Sequence, residues 1–224
     1  MINIPNGEKR YLLGVDLAKS LDFTSFAVIG MEFDPVISDF VYHLVGLDRI
    51  KGVDYPKITA LILETANKLY ETGKAANWDG PHVCMDASGL GAPIRDYLKQ
   101  SGWFGGGMHG RSIYPVVFTG GEAARYDAVT HNYNISKSLI ISNFLSLMQH
   151  KRFDYAPGLE ALPILEQEIA NFKYHLTPSG HTGFDAQSGA HDDLICAICI
   201  PLIIGEWRYS HRQRAKVGPK PAGL

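Results

Sequence analysis

The chain has 224 residues, 46% hydrophobic, 20% charged and 11% aromatic, the profile of one large globular domain, which excludes a disordered or collagen-like chain. Its longest apolar run, residues 194–204, contains Pro201 and is about half of the ~20 residues a membrane span needs, so it reads as buried helix. The formal charge of −2 conceals a split: residues 208–224 carry five basic side chains and no acid, which leaves 16 basic against 23 acidic residues in the remainder.

Residues 11–16 (Tyr-Leu-Leu-Gly-Val-Asp) form a short apolar run ending on a carboxylate, the pattern of a central strand. Residues 23–30 and 36–47 are β-branched and aromatic, divided by a turn at Phe33-Asp34-Pro35, and predict an antiparallel meander. A helix is expected from Pro56 to about residue 76, with Ile58, Leu61, Ile62, Thr65, Leu69 and Tyr70 as its stripe. A buried strand follows at 82–86 and ends on Asp86, and Ser88-Gly89-Leu90-Gly91 leads into a helix over 93–100. Five glycines between Gly102 and Gly110 make a loop before a strand at 113–119. Helices are expected over 135–148 and 159–171, a short strand at 172–176, and a last helix from His191-Asp192-Asp193.

This order predicts an α/β fold: a mixed central sheet, three antiparallel strands and then parallel ones, flanked by helices. The division expected is an N-terminal segment (1–10), one domain (11–207) and a basic C-terminal tail (208–224). The tail is either an arm for a polyanion or a solvated terminus. Three cysteines make no disulfide framework, and Met1-Ile2-Asn3-Ile4-Pro5 does not resemble a secretion leader, so a cytoplasmic location away from membranes is expected. Cys196-x-x-Cys199 has no second pair and reads as helix packing.

The carboxylates carry the chemistry. Asp16 ends the first strand, Asp86 ends the fourth, and Asp192-Asp193 opens the last helix. Strands one and four are the expected neighbours in this topology, which puts Asp16 and Asp86 side by side at the end of the sheet where open α/β folds place their sites. Two ionised carboxylates ~4 Å apart repel by roughly 4 kcal/mol at an effective dielectric near 20, so such a cluster needs cations. Hard divalent ions suit oxygen ligands, and a pair of them can clamp a phosphodiester. Singly, each Asp is as readily a turn former or helix cap.

Gly14-Val15-Asp16-Leu17-Ala18 with Asp22-Phe23-Thr24-Ser25 resembles the first acidic motif of the nuclease domain of phage terminase large subunits. Val83-Cys84-Met85-Asp86-Ala87-Ser88-Gly89-Leu90-Gly91 is similar to the second motif, and His191-Asp192-Asp193-Leu194 leading into Ala197 to the third. The segment from Lys137 to Met148, then Leu165-Glu166-Gln167-Glu168 and Phe172, resembles the family's spacing, so that the match spans residues 11–205.

The resemblance implies an RNase H-like fold of the retroviral integrase superfamily. It implies an endonuclease using two Mg²⁺ or Mn²⁺ ions to cut concatemeric viral double-stranded DNA during packaging, by in-line hydrolysis. By position Asp16 would bridge the metals, Asp86 would hold one and Asp193 or Asp192 the other, with Asp193 preferred because it shares a helix face with Ala197. Asp22 and His191 are candidates for supporting positions around the metals. Implied partners are a packaging ATPase domain, a small terminase subunit and a portal. Phosphate contacts are expected from Lys137, Arg111, Arg125, Lys151 and Arg152.

Departures from the family are a missing Gly-x-x-x-x-Gly-Lys-[Ser/Thr], so that no packaging motor is expected in this chain, and Lys19 where small residues are commoner. The rival readings are a Holliday-junction resolvase or another RNase H-like nuclease, and a non-catalytic DNA- or capsid-docking module.

Overall fold

The computed structural model describes residues 10–17, 23–73, 80–89, 91–102, 112–120, 124–176, 182–186 and 192–209. Strands β1 (Arg10–Asp16), β2 (Phe23–Asp34) and β3 (Asp39–Lys51) form the expected antiparallel meander. Helix α1 (Tyr55–Gly73) carries the chain to β4 (His82–Asp86), which pairs parallel with β1. Next come α2 (Gly91–Gln100), β5 (Ser112–Thr119), β6 (Ala124–Asp127), β7 (Asn132–Ser136) and α3 (Lys137–Gln149). The described chain ends with β8 (Phe153–Tyr155), α4 (Leu162–Asn171), β9 (Phe172–Leu176), β10 (Thr182–Ala186) and α5 (Asp193–Tyr209). Eight strands make one mixed sheet in the order β6-β7-β5-β4-β1-β2-β3-β8, and β9 and β10 pair as a separate hairpin.

Strand alternation sends successive side chains to opposite faces. Tyr11, Leu13, Val15, Val83 and Met85 pack with Ile58, Ile62, Leu69, Ile94 and Leu98 under α1 and α2. Leu12, Cys84, Ala27 and Ile29 face the other way, onto a larger core built by α3, α4 and α5. Helix α5 is apolar all round and almost entirely buried, as expected of the run that contains Pro201.

Its seat on β1 depends on two residues. Pro201 has no N–H to give the carbonyl of Ala197 one turn back. That carbonyl presses on Gly14, where an added Cβ would lie 1.9 Å from the Ala197 oxygen and 2.7 Å from the Pro201 ring. Gly14 is therefore glycine because helix backbone occupies its side-chain space.

Some elements differ from the sequence expectation. The β2–β3 hairpin is longer, its strands pairing out to Asp34 and Asp39, with Asp34 Oδ1 accepting the Val36 N–H at 2.7 Å in the turn. The β6–β7 hairpin was not expected, since its strands contain no apolar run. Asp127 closes its turn by accepting from Val129 and Thr130, His131 takes a positive φ of 56°, and the Tyr126 ring packs at a tilt against Tyr133, centroids 5.1 Å apart. Helix α3 starts at Lys137 and not at 135, because Ile135 is still paired in the sheet and Ser136 Oγ caps the helix by accepting the Leu139 N–H. The three residues of β8 are too few to leave a periodic signal.

Arg152 corrects another expectation. It is not a phosphate-facing side chain: its guanidinium is buried, donating twice to Glu206 at 3.0 and 2.6 Å, to the Phe40 carbonyl at 2.9 Å, and pairing with buried Asp39 at 3.2 Å. Tyr42 Oη also donates to Glu206, at 2.8 Å. The network pins β3, α5 and the start of β8 together, and removing one partner of such a buried pair costs roughly 3–5 kcal/mol.

Candidate active site

The C-terminal ends of β1, β4, β5 and β7 point the same way, since consecutive pairs among them run parallel. Val15 stands opposite Met85, which places Asp16 and Asp86 next to each other at that rim. Both follow the parity of Leu12 and Cys84 and so lie on the α5 face of the sheet. Helix α5 begins at Asp193 over the same rim and runs back along β1 from there.

Local chemistry fixes Asp86. Its Oδ1 accepts the Ser88 N–H at 2.7 Å, and Ser88 Oγ in turn accepts the Phe118 N–H at 3.1 Å. The glycines of this segment have distinct uses. Gly89 takes a left-handed φ of 60°, while a Cβ on Gly91 would meet the Asp86 carbonyl at 2.1 Å. The tight turn thus starts α2 directly against the carboxylate-bearing residue.

Burial pushes Asp16 well above the ordinary carboxylate range, and the charges of Asp86, Asp193 and Asp192 push it further, against the pull of Lys137. Asp86 is raised as well, chiefly by burial, although the Ser88 hydrogen bonds and Lys137 lower it. All four aspartates therefore share one electrostatic field, drawn from strand and helix ends far apart in the chain. Among the described residues no group of three or more His, Cys, Asp or Glu side chains is placed to hold a metal ion.

The donor set fits a hard divalent ion. It offers carboxylate oxygens, with the Ser25 hydroxyl, in register with Asp16, buried and lacking a hydrogen-bond partner among the described residues. Cys196 is near Asp16, but burial and then that carboxylate hold its thiol well above its ordinary pKa, which does not favour a thiolate ligand.

No protein-family model matches the sequence, and a search of curated proteins finds no match. Solved structures do match. The magnesium-bound large terminase nuclease of thermophilic phage G20c superposes with a TM-score of 0.55 at 20% identity, covering 87% of this chain and 81% of that one. The manganese-soaked human cytomegalovirus terminase nuclease domain gives 0.54 at 14% identity, covering 90% and 88%. The fold is that of a terminase large-subunit nuclease domain.

On this terminase-nuclease fold the remaining expected residues fall as follows. Asp22, His191 and Arg111 lie outside the described residues, as does residue 210 onwards of the basic tail. Arg125 is exposed on the edge strand β6 at the acidic end of the sheet. Lys151 is exposed but follows the far end of α3, away from the rim. Lys137 is at the rim itself, donating to Asp192 Oδ2 at 2.5 Å.

In the sequence Glu168 marks only a spacing, and its role comes from the fold. Its Oε2 accepts the backbone N–H groups of Leu194 and Ile195, both at 3.1 Å, so a side chain of α4 caps the helix that carries Asp193. Arg49, stacked on Phe23 at 4.1 Å, approaches its other oxygen at 3.8 Å. Burial and the charge of Asp193 push Glu168 up to about 7, against the helix N–H groups and Arg49.

A raised folded-state pKa means that the protonated carboxyl stabilises the fold. This contribution is complete below the unfolded value near pH ~4.3 and is lost as pH rises through about 7. Glutamine keeps the acceptor oxygen for both N–H groups. Glu168→Gln is therefore expected to flatten the metal-free stability profile across that window, on the order of 2 kcal/mol, and to be the more stable form at pH 8. Thermal melts of both proteins from pH 4 to 8 check this, and parallel profiles would show that Glu168 does not titrate there.

Proposed function

We propose that this chain is a divalent-metal-dependent endodeoxyribonuclease that cuts double-stranded DNA in viral genome packaging. The observation that carries the reading is the convergence of Asp16, Asp86, Asp192 and Asp193 on one rim, where burial and then the charges of the other three raise Asp16. The likeness to terminase nucleases solved with magnesium or manganese supports it. So does the chemistry of the donors, which are oxygens of the kind Mg²⁺ and Mn²⁺ accept.

Asp16 and Asp86 would hold the ions together with Asp193, and Asp192 would assist. Bound there, a pair of divalent ions supplies charge stabilisation to the attacking and leaving oxygens of an in-line displacement at phosphorus. The chain's own part is positioning. Ser88 fixes the Asp86 carboxylate, Glu168 fixes the start of α5, and Gly14 lets α5 lie close enough to bring Asp193 over Asp16. No side-chain nucleophile is required, because water attacks and the 3′ oxygen departs. Arg111, Arg125 and the basic tail are phosphate-binding candidates, and such contacts make affinity fall steeply with salt. A packaging ATPase domain, a small terminase subunit and a portal are the partners this reading implies.

Supercoiled plasmid incubated with the protein and Mg²⁺ or Mn²⁺ is expected to become nicked and then linear, and to remain intact in EDTA. Cleavage that persists in EDTA, or no cleavage with either ion, would refute the proposal.

A further inference from the structure

Lys137 occupies an unfavourable place for a cation. It is the first residue of α3, whose N-terminal peptide dipoles present positive potential, and no acid stands in that first turn to offset it. The cap is a neutral hydroxyl, Ser136 Oγ. What holds the ammonium is the acidic rim: Nζ donates to Asp192 Oδ2 at 2.5 Å, with both side chains largely covered, at 30% and 20% exposure. Its charge reaches Asp16 and Asp86 too, opposing the upward push of burial on both, at Asp86 after the Ser88 hydrogen bonds. A lysine is a compact point charge on a flexible stem, suited to this position and able to leave it.

We propose that Lys137 is a tethered counter-cation, which neutralises the aspartate cluster in the metal-free protein and competes with divalent ions for it. Metal loading then requires the ammonium to give up Asp192, and Lys137 sets the metal affinity of the free protein. The inference rests on the metal-nuclease reading above. It differs from a role in gripping DNA, because a phosphate contact would leave metal affinity in the absence of DNA unchanged.

The test is calorimetric titration of Mn²⁺ into the DNA-free parent protein and the Lys137→Met, Lys137→Gln and Lys137→Arg variants, with Asp16→Asn as the site control. Both neutral variants are expected to bind Mn²⁺ roughly tenfold tighter or more. Lys137→Arg keeps the charge and should stay near the parent value. The neutral variants should also melt at lower temperature without metal and regain the difference at saturating Mn²⁺. Unchanged or weaker Mn²⁺ binding in both neutral variants, with the parent binding normally, would overturn the counter-cation role and leave the nuclease reading standing. If the parent takes up no Mn²⁺ at all, the metal reading itself fails, and this inference with it.

Discussion

Asp16→Asn is expected to lower Mg²⁺- or Mn²⁺-dependent plasmid cleavage by more than about a hundredfold while making the metal-free protein more stable. Both effects have one cause. Asp16 is the carboxylate that burial and three neighbouring acids penalise most, so its ionisation works against the fold. The sign follows from a folded pKa raised well above the unfolded one: protonation of Asp16 stabilises the native state, and that contribution is lost as pH rises. Asparagine removes the penalty at every pH. At pH 8 and without metal, the variant should gain roughly 1–2 kcal/mol, or ~2–8 °C in Tm for a chain of this length. The gap should close as pH falls and the parent carboxyl becomes neutral. Metal should act in the opposite direction. An ion at a hundred times its Kd stabilises its site by about 2.7 kcal/mol, so the parent should rise by ~5–10 °C in saturating Mn²⁺ and the variant much less. A variant that cuts normally, or that responds to Mn²⁺ as the parent does, would remove Asp16 from the site.

Gly14→Ala should have a large effect on stability. The space for its methyl group is filled by the Ala197 carbonyl and the Pro201 ring, and helix backbone cannot rotate aside as a side chain can. Overpacking of cores typically costs 1–3 kcal/mol, and a clash with backbone belongs at or above the top of that range. A loss of roughly 3 kcal/mol corresponds to ~6–12 °C in Tm. Because α5 also carries Asp193, its displacement should weaken Mn²⁺ binding as well. Gly120→Ala is the control: it has open space at its Cβ and no positive φ, and should be near neutral. Equal melting temperatures for the two variants would mean that α5 is not seated on β1 in this way.

The parts of the fold legible in the sequence were those with a one-dimensional signature. The buried strand at 82–86 was delimited by its apolar run and its terminal Asp86, and it coincides with β4. The meander and the α1 stripe were similarly readable from period two and period 3.6, and pairing β1 with β4 followed from connectivity. What escaped notice depends on partners distant in the chain. The β6–β7 hairpin is held by Asp127 turn bonds and a tilted tyrosine pair, neither of which makes an apolar pattern. Arg152 resembled a surface cation until Glu206, 54 residues later, proved to enclose it. Nothing near Lys137 in sequence shows that Asp192, 55 residues later, folds onto it. Glu168 capping α5, and Gly14 yielding its space to the Ala197 carbonyl, are tertiary facts of the same kind.

The central claim is that Asp16 and Asp86, with Asp193 above them, form one divalent-cation site. Anomalous diffraction from a manganese-soaked crystal addresses it without recourse to activity. A manganese peak within about 2.1 Å of oxygens from both Asp16 and Asp86 is the predicted result. Well-ordered Asp16 and Asp86 carboxylates facing separate regions, with no manganese between them, would contradict the account.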